Sequence, residues 1–139
     1  MADPANVGSM SVSMLTGGPV IRVAADADLH QIAEALVEAS VGALVIGDDD
    51  GASGIVSERD VVGALAERRD PATTRAGDIA HTTLVWCDVE ATLAEVAGLM
   101  MDRYVRHVLV EEDGKLVGIV SARDVLGAYA GGDLADEEP

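Results

Sequence analysis

The pattern of apolar residues along the chain predicts two amphipathic helices. In each, apolar residues stand at positions i, i+3, i+4, i+7 and i+8, a spacing that forms one buried stripe. The stripes are Leu29, Ile32, Ala33, Leu36 and Val37 in the first helix and Leu93, Val96, Ala97, Met100 and Met101 in the second. Both helices are expected to pack inward along the whole stripe, with Met100 and Met101 filling the core.

Both predicted helices begin with the same kind of capping pair. Asp28 precedes Gln31 by three positions, and Thr92 precedes Glu95 by three. In such a capping box each side chain bonds the other residue's backbone N–H, which satisfies donors that the first helical turn leaves free. The two helices are therefore expected to start in the same way.

Short apolar segments around each helix predict three strands in each half of the chain. An Asp-Gly pair near residues 48–51 and 111–114 supplies the positive φ angles of a hairpin between the second and third strands. With a closing helix, each half reads β-α-β-β-α, a mixed α+β fold of the α/β type. The expected strands are residues 19–23, 42–46 and 53–56 in the first half and 83–87, 106–110 and 116–120 in the second.

The closing segment of each half shows that the chain contains an internal repeat. Residues 54–66 read Gly-Ile-Val-Ser-Glu-Arg-Asp-Val-Val-Gly-Ala-Leu-Ala, and 64 positions later ten of the thirteen residues are identical. Repeats at such a period define the architecture of the whole fold. We expect an N-terminal arm at 1–10, a first unit at 11–69, a linker and second unit at 70–130, and a disordered acidic tail at 131–139.

Charge and composition narrow the possible partners. The net charge of −16 opposes attraction to nucleic-acid phosphates or anionic lipid. A single cysteine, Cys87, rules out an internal disulfide and fits a reducing compartment. The first residues do not form a signal peptide, and no apolar run approaches the ~18 residues that span a bilayer. These features predict a cytoplasmic protein that binds neither nucleic acid nor membrane.

Gly-Ile-Val-Ser-x-Arg-Asp after a hairpin strand, present twice at this spacing, resembles the hallmark of cystathionine-β-synthase (CBS) domain pairs. The resemblance covers about residues 11–130. It implies that two units pack through their sheets about a pseudo-twofold axis, and that the pair forms a homodimer. It also implies a regulatory module that needs no cofactor and binds AMP, ADP, ATP or S-adenosylmethionine between the units, with an unidentified effector protein as a possible further partner.

The resemblance assigns the ligand to two Ser-x-x-Asp motifs. Asp60 and Asp124 would accept hydrogen bonds from ribose hydroxyls, and charge-assisted bonds of this kind are strong. Ser57 and Ser121 lie at helix starts, where free N–H groups favour an anion. The alternative is that these residues only cap their helices, because the same pattern is a capping motif. Gly54 and Gly118 likewise either ease a bend in the strand or let adenine approach the backbone.

The resemblance also predicts two unequal clefts. Each cleft would combine the Ser and Asp of one unit with the second strand of the other, so that Ser57 and Asp60 face Arg106 and His107, which suit a phosphate. Ser121 and Asp124 would face the uncharged residues 42–43. Alternatively, Arg106 is a solvated strand end and His107 a partly buried residue with a structural partner.

Arg59 and Arg123 precede the motif aspartates and can either reach a phosphate or pair with surface carboxylates, of which we favour the pairing. Because positive groups are scarce, a monophosphate or a cationic sulfonium ligand is easier to accommodate than a triphosphate.

The sequence does not favour catalysis. It contains no nucleophile-elbow, phosphate-loop or dinucleotide-binding motif. Cys87 is predicted in a buried strand, and His30, His81 and His107 have no metal-ligand spacing, so a zinc site would have to assemble across units or chains. We expect no catalytic residue and no resident metal. The alternative to a ligand sensor is a homodimeric interaction module with empty clefts.

Overall fold

The computed structural model describes residues 4–16, 19–48 and 51–137. These residues form two compact units. The first unit consists of residues 20–84, and the second combines the described residues before position 20 with those from Val85 onward. Each unit is described by itself.

The helices and strands follow the order that the sequence predicts, with three short helical segments added. The first half contains β1 (Arg22–Val23), α2 (Leu29–Ala39), β2 (Ala43–Ile46), β3 (Gly54–Ser57) and α3 (Glu58–Ala66). The second half contains β4 (Trp86–Asp88), α5 (Leu93–Arg103), β5 (His107–Glu112), β6 (Lys115–Ser121) and α6 (Ala122–Glu137). The additions are α1 (Pro4–Val7), a 3-10 helix (Val12–Leu15) and α4 (Ala76–Ile79).

Each unit contains a three-stranded mixed sheet with the same topology. In the first unit, β2 lies between a parallel β1 and an antiparallel β3, and Val45 stands opposite both Arg22 and Ile55. In the second, β5 lies between a parallel β4 and an antiparallel β6. The predicted α+β class and the two β-α-β-β-α units are confirmed.

The hairpin of the second unit has the predicted turn chemistry. Asp113 and Gly114 have φ angles of 54° and 77°, so both central residues are in the left-handed region that tight hairpins need. The corresponding prediction for the first hairpin falls partly on residues 49–50, which lie outside the described residues.

Each sheet packs against its two principal helices, but the buried stripes are shorter than predicted. Leu29, Ile32 and Leu36 are buried in the first unit, as are Leu93, Val96 and Met100 in the second. Val37 and Met101, by contrast, are 77% and 76% exposed, so their assignment to the core was wrong. Position i+8 is rotated by roughly 80° from position i around a helix, and at this edge of the stripe the sheet no longer covers the side chain.

The segment that precedes each repeat completes the unit that the other repeat forms. Arg75 pairs with Asp28 in the first unit, and Ser11 pairs with Thr92 in the second, so the shift of 64 positions also relates these contacts. Ala76 N–H donates to the Ala27 carbonyl at 2.8 Å in the first unit. Linker residues thus pack with the repeat that they follow.

The N-terminal segment differs from the expected loose arm. Val7 and Val12 are 2% and 0% exposed and belong to the core of the second unit. Val12 N–H donates to the Ala91 carbonyl at 2.7 Å, and Leu93 N–H donates to the Met10 carbonyl at 2.9 Å. This segment is ordered because it buries apolar side chains on the second repeat.

The C-terminal end continues as α6 through Glu137, and the disorder expected for residues 131–139 stays a prediction. Its last two residues, 138–139, lie outside the described residues. Among the described residues, no helix is both long enough and apolar enough to cross a membrane.

Candidate ligand-binding site

Ser57 and Asp60 lie where β3 runs directly into α3. Ser57 has the extended backbone of an N-cap residue, with φ −110° and ψ 167°. Its N–H and its hydroxyl donate to Asp60 Oδ2 at 2.8 and 3.0 Å, and Asp60 N–H points back to Ser57 Oγ at 3.3 Å. The pair is a complete capping box, so the capping role is present in the structure.

Ser121 and Asp124 form the same arrangement between β6 and α6. Ser121 N–H donates to Asp124 Oδ2 at 2.8 Å, and Asp124 N–H donates to Ser121 Oγ at 3.0 Å. The surroundings differ, because the side chain of Asp60 is only 12% exposed whereas Asp124 is an exposed residue. The motifs therefore share their backbone geometry but not their access to solvent.

His81 makes a contact with Asp60 that sequence reasoning missed. Its Nε2 lies 2.8 Å from Asp60 Oδ1, while its own side chain is 70% exposed. The backbone of His81 pairs with the free edge of β3, through hydrogen bonds of 3.0 and 2.9 Å with Ile55. Because this pairing joins positions 26 apart, no local spacing in the sequence could have identified it.

Close packing of another segment of the same unit explains Gly54 and Gly118. A Cβ atom at Gly54 would lie 3.2 Å from the Cβ of Ala80. At Gly118 it would lie 2.6 Å from the Cβ of Thr16, closer than real Cβ atoms approach. Ala80 and Thr16 are themselves 64 positions apart, so the two glycines make room for equivalent segments of the chain. This contact supplies a structural reason that neither sequence hypothesis contained.

Arg106 and His107 lie beside Ser121 of their own unit. His107 stands opposite Ser121 in the sheet, and the Arg106 carbonyl accepts the N–H of Ala122 at 2.8 Å. The Arg106 side chain is exposed and His107 is half-buried. The expected pairing of Arg106 and His107 with Asp60 joins the two units and stays a prediction.

Arg59 and Arg123 are exposed residues at the first turns of α3 and α6. Within the described part of the chain, ion pairs occur between His30 and Glu34 at 3.7 Å and between His81 and Asp60. The surface pairing that we favoured for Arg59 and Arg123 is thus not found among the described carboxylates.

Cys87 has the environment of a core thiol. It is buried in β4, and burial, together with the negative charges of Asp88, Glu111 and Glu95, raises its pKa to about 11. A thiol with such a pKa remains protonated at neutral pH and is a poor nucleophile. Across residues 4–16, 19–48 and 51–137, no three His, Cys, Asp or Glu side chains cluster as a metal site would require.

Comparison with known proteins identifies the family. The model of the CBS domain matches residues 10–67 and again residues 76–131. The chain belongs to the CBS-domain family. It is 38% identical over 99 residues to hypoxic response protein 1 of Mycobacterium tuberculosis, an alignment that spans 70% of this chain and 69% of that protein.

Two solved CBS structures illustrate what members of the family bind. The crystal structure of hypoxic response protein I contains two coordinated zinc ions; it is 33% identical, with a TM-score of 0.68 over 84% of this chain and 97% of that one. The CBS-domain protein PAE2072 from Pyrobaculum aerophilum is complexed with AMP; it is 27% identical, with a TM-score of 0.75 over 88% of this chain and 99% of that one. CBS pairs are regulatory modules, and at least one of them binds an adenine nucleotide.

Proposed function

We propose that this CBS pair is a sensor module that binds an adenosyl ligand, AMP-like or S-adenosylmethionine, through its two Ser-x-x-Asp motifs. The observation that carries the proposal is the repeated Ser-Asp geometry, with the serine N–H 2.8 Å from the aspartate Oδ2 at the start of both α3 and α6. A related CBS protein is complexed with AMP. Asp60 and Asp124 are the proposed ribose acceptors.

The chemistry of the motif suits a ribose. In each motif the capping bonds reach Oδ2 of the aspartate. Oδ1 of Asp124 is therefore the oxygen that faces a ligand, whereas Oδ1 of Asp60 also contacts His81 Nε2 at 2.8 Å. A carboxylate oxygen accepts bonds from sugar hydroxyls, and the ionised acceptor strengthens them. The serine at the helix start lies among N–H groups that attract an anion. One motif can therefore cap a helix and also bind the ribose.

A phosphate would need positive charge, which this chain supplies at few places. We propose that Arg106 and His107 serve the phosphate, with Arg59 and Arg123 as additional cations. In the first unit the positions equivalent to Arg106 and His107 are glycine and alanine, at 42–43. With a net charge of −16, AMP or S-adenosylmethionine is favoured over ATP.

The test is a calorimetric titration of the purified protein with AMP, ADP, ATP, S-adenosylmethionine and adenosine. Thermal unfolding with each compound measures the accompanying stabilisation. A ligand at a hundred times its Kd stabilises the native state by about 2.7 kcal/mol. We expect Asp60→Ala or Asp124→Ala to abolish one site each. Asp28→Ala is the matched control, because Asp28 also caps a helix, through a 2.8 Å bond to Gln31 N–H, but lies outside both motifs.

The control separates loss of a cap from loss of a ligand contact. Removing a cap costs about 1 kcal/mol of stability in all three variants. Only the motif variants should also lose binding. Absence of binding by all five compounds at millimolar concentration would contradict the proposal and leave the interaction module as the function.

Exposed apolar side chains support that second candidate. Val62 and Leu126 are 64% and 70% exposed at equivalent positions of α3 and α6, and Val37 and Met101 are exposed at equivalent positions of α2 and α5. Apolar groups concentrated on helix faces mark interaction surfaces. We propose that these residues mediate homodimer formation, which a regulatory module would retain and an interaction module would use alone.

The dimer proposal is tested by the Val62→Ser, Leu126→Ser double variant. Light scattering should show a shift from dimer to monomer at micromolar concentration. Met14→Ser is the matched control, since Met14 is 66% exposed but lies in the 3-10 helix near the N-terminus. An unchanged mass for the double variant would exclude this surface as the dimer interface.

A further inference from the structure

Both oxygens of Asp60 already accept protein hydrogen bonds. Oδ2 accepts from the N–H and hydroxyl of Ser57 at 2.8 and 3.0 Å. Oδ1 is 2.8 Å from His81 Nε2. A carboxylate offers about four lone-pair positions in total, so three of them are occupied. A vicinal diol that donates two hydrogen bonds would therefore compete with the imidazole for Oδ1.

His81 has a fixed backbone and an accessible side chain. Two backbone hydrogen bonds hold it on the edge of β3, at Ile55. The neighbouring Ala80 packs on Gly54, so the chain approaches the strand closely at this point. The imidazole itself is 70% exposed. Rotation of one side chain, with no change in the backbone, would release Oδ1 of Asp60 and place the imidazole in water.

The other motif has no histidine at the equivalent position. The shift of 64 positions that relates Asp60 to Asp124 relates His81 to Gly17, which carries no side chain. Among the described residues, the hydrogen bonds of the Asp124 carboxylate are confined to the cap with Ser121. The imidazole contact is therefore specific to the first unit.

We propose that His81 is a latch that blocks access of ribose hydroxyls to Asp60, so that a ligand must displace the imidazole to bind there. Among the described residues, Asp124 has no such competitor. This proposal rests on the proposed function, because it assumes that Asp60 is a ribose acceptor. His81 is a positioning residue in this scheme and does not bind the ligand. The Asp60 and Asp124 sites then differ in affinity for the same ligand, and the Asp60 site becomes occupied at the higher ligand concentration.

The experiment isolates the Asp60 site by using Asp124→Ala as the background. Calorimetric titration with adenosine, which carries no phosphate, compares His81 with His81→Gly and His81→Gln. Glycine reproduces the residue at position 17, and glutamine retains an N–H donor of similar reach. If the latch is open about one tenth of the time, His81→Gly should tighten adenosine binding by about tenfold. His81→Gln should remain within about threefold of the parent, as expected when part of the same hydrogen bond is kept.

Two further measurements separate the latch from a change in folding. In the Asp60→Ala background, His81→Gly should leave the affinity for adenosine unchanged. In the Asp124→Ala background with His81 present, the imidazole ¹⁵N resonances of His81 should shift when adenosine is added, because the ring leaves Asp60. Thermal unfolding verifies that each variant is folded.

The failures of the two proposals are distinguishable. Equal or weaker adenosine binding by His81→Gly in the Asp124→Ala background would overturn the latch while leaving the proposed function intact. If no protein in the series binds adenosine or AMP, the wild type and the His81→Gly variant included, the proposed function fails and the latch fails with it.

Discussion

At the scale of single residues, Gly118 is a position where the fold tolerates little change. Its backbone passes so close to Thr16 that a Cβ would meet the Thr16 Cβ at 2.6 Å and its Cγ2 at 2.8 Å. Both of those atoms belong to a β-branched side chain, which has few alternative rotamers. The conflict can therefore be relieved only by a shift of the backbone.

We expect Gly118→Ala to lower the free energy of unfolding by about 1–3 kcal/mol, the usual cost of overpacking. Urea denaturation measures the change. Gly127→Ala is the control, because a Cβ at Gly127 meets nothing within 4 Å and alanine favours the helix α6 by about 0.5–1 kcal/mol. Thr16→Gly combined with Gly118→Ala should recover part of the loss. Equal effects of Gly118→Ala and Gly127→Ala would contradict this explanation.

The residues of the two motifs illustrate what a sequence pattern can predict and what it cannot. Ser57 with Asp60 and Ser121 with Asp124 were identified as capping pairs from a three-residue spacing, and both pairs are hydrogen-bonded as expected. Their ligand role stays a prediction. The histidine beside Asp60 was not anticipated, since it reaches the carboxylate through a strand edge and not through the helix.

At the scale of elements, the start of α5 depends on the Thr92 and Glu95 capping box. Thr92 N–H donates to Glu95 Oε1 at 2.8 Å, and Glu95 N–H donates to Thr92 Oγ1 at 3.1 Å. Hydrogen bonding from the backbone and the side chain of Thr92 lowers the pKa of the Glu95 carboxyl below its ordinary value of 4.5. The ionised carboxylate is thus the form that the folded helix prefers.

The stabilisation from Glu95 is expected to disappear at acid pH. Since the folded-state pKa is depressed, the contribution is present above pH 4.5 and is lost as the pH falls through the folded-state value. The difference in unfolding free energy between the wild type and Glu95→Gln should therefore narrow over this range. Urea denaturation at pH 7 and at steps down to pH 3 measures it.

Two comparisons test whether the pH dependence comes from the Glu95 carboxylate in the capping box. Glu38→Gln is the comparison at each pH, because it removes an exposed carboxylate from the last turn of α2, outside the capping box. Thr92→Ala should cost about 1 kcal/mol at neutral pH, as loss of an N-cap does. A pH-independent difference for Glu95→Gln would show that the capping bond does not require the charged form.

At the scale of the whole molecule, the units differ from the repeats because the segment that precedes each repeat packs with the other repeat. Val12 is 0% exposed in the core of the second unit, although the first strand of that unit, β4, begins only at Trp86. Ala76, also 0% exposed, belongs to the core of the first unit. The boundaries of folding therefore need not coincide with the boundaries of repetition.

We expect Val12→Ala to weaken the second unit selectively. Loss of two buried carbons costs about 1.6 kcal/mol in transfer free energy, and the cavity that remains adds to it. Hydrogen exchange on the full chain should accelerate at the amides of β5 and β6 more than at those of β2 and β3. Met14→Ala is the matched control, because Met14 is exposed in the same segment. Uniform acceleration in both sheets would contradict a local role for Val12.

The sequence by itself determined the repeat, the order of strands and helices in each unit, the capping pairs and the family. These features are local or periodic, and periodicity along the chain is visible without coordinates. The tertiary structure alone decided which apolar residues are covered, as Val37 and Met101 show, and which distant segments complete a core. It also decided that His81 stands against Asp60. Burial and strand-edge pairing depend on what the rest of the chain places nearby, and spacing along the sequence does not encode that.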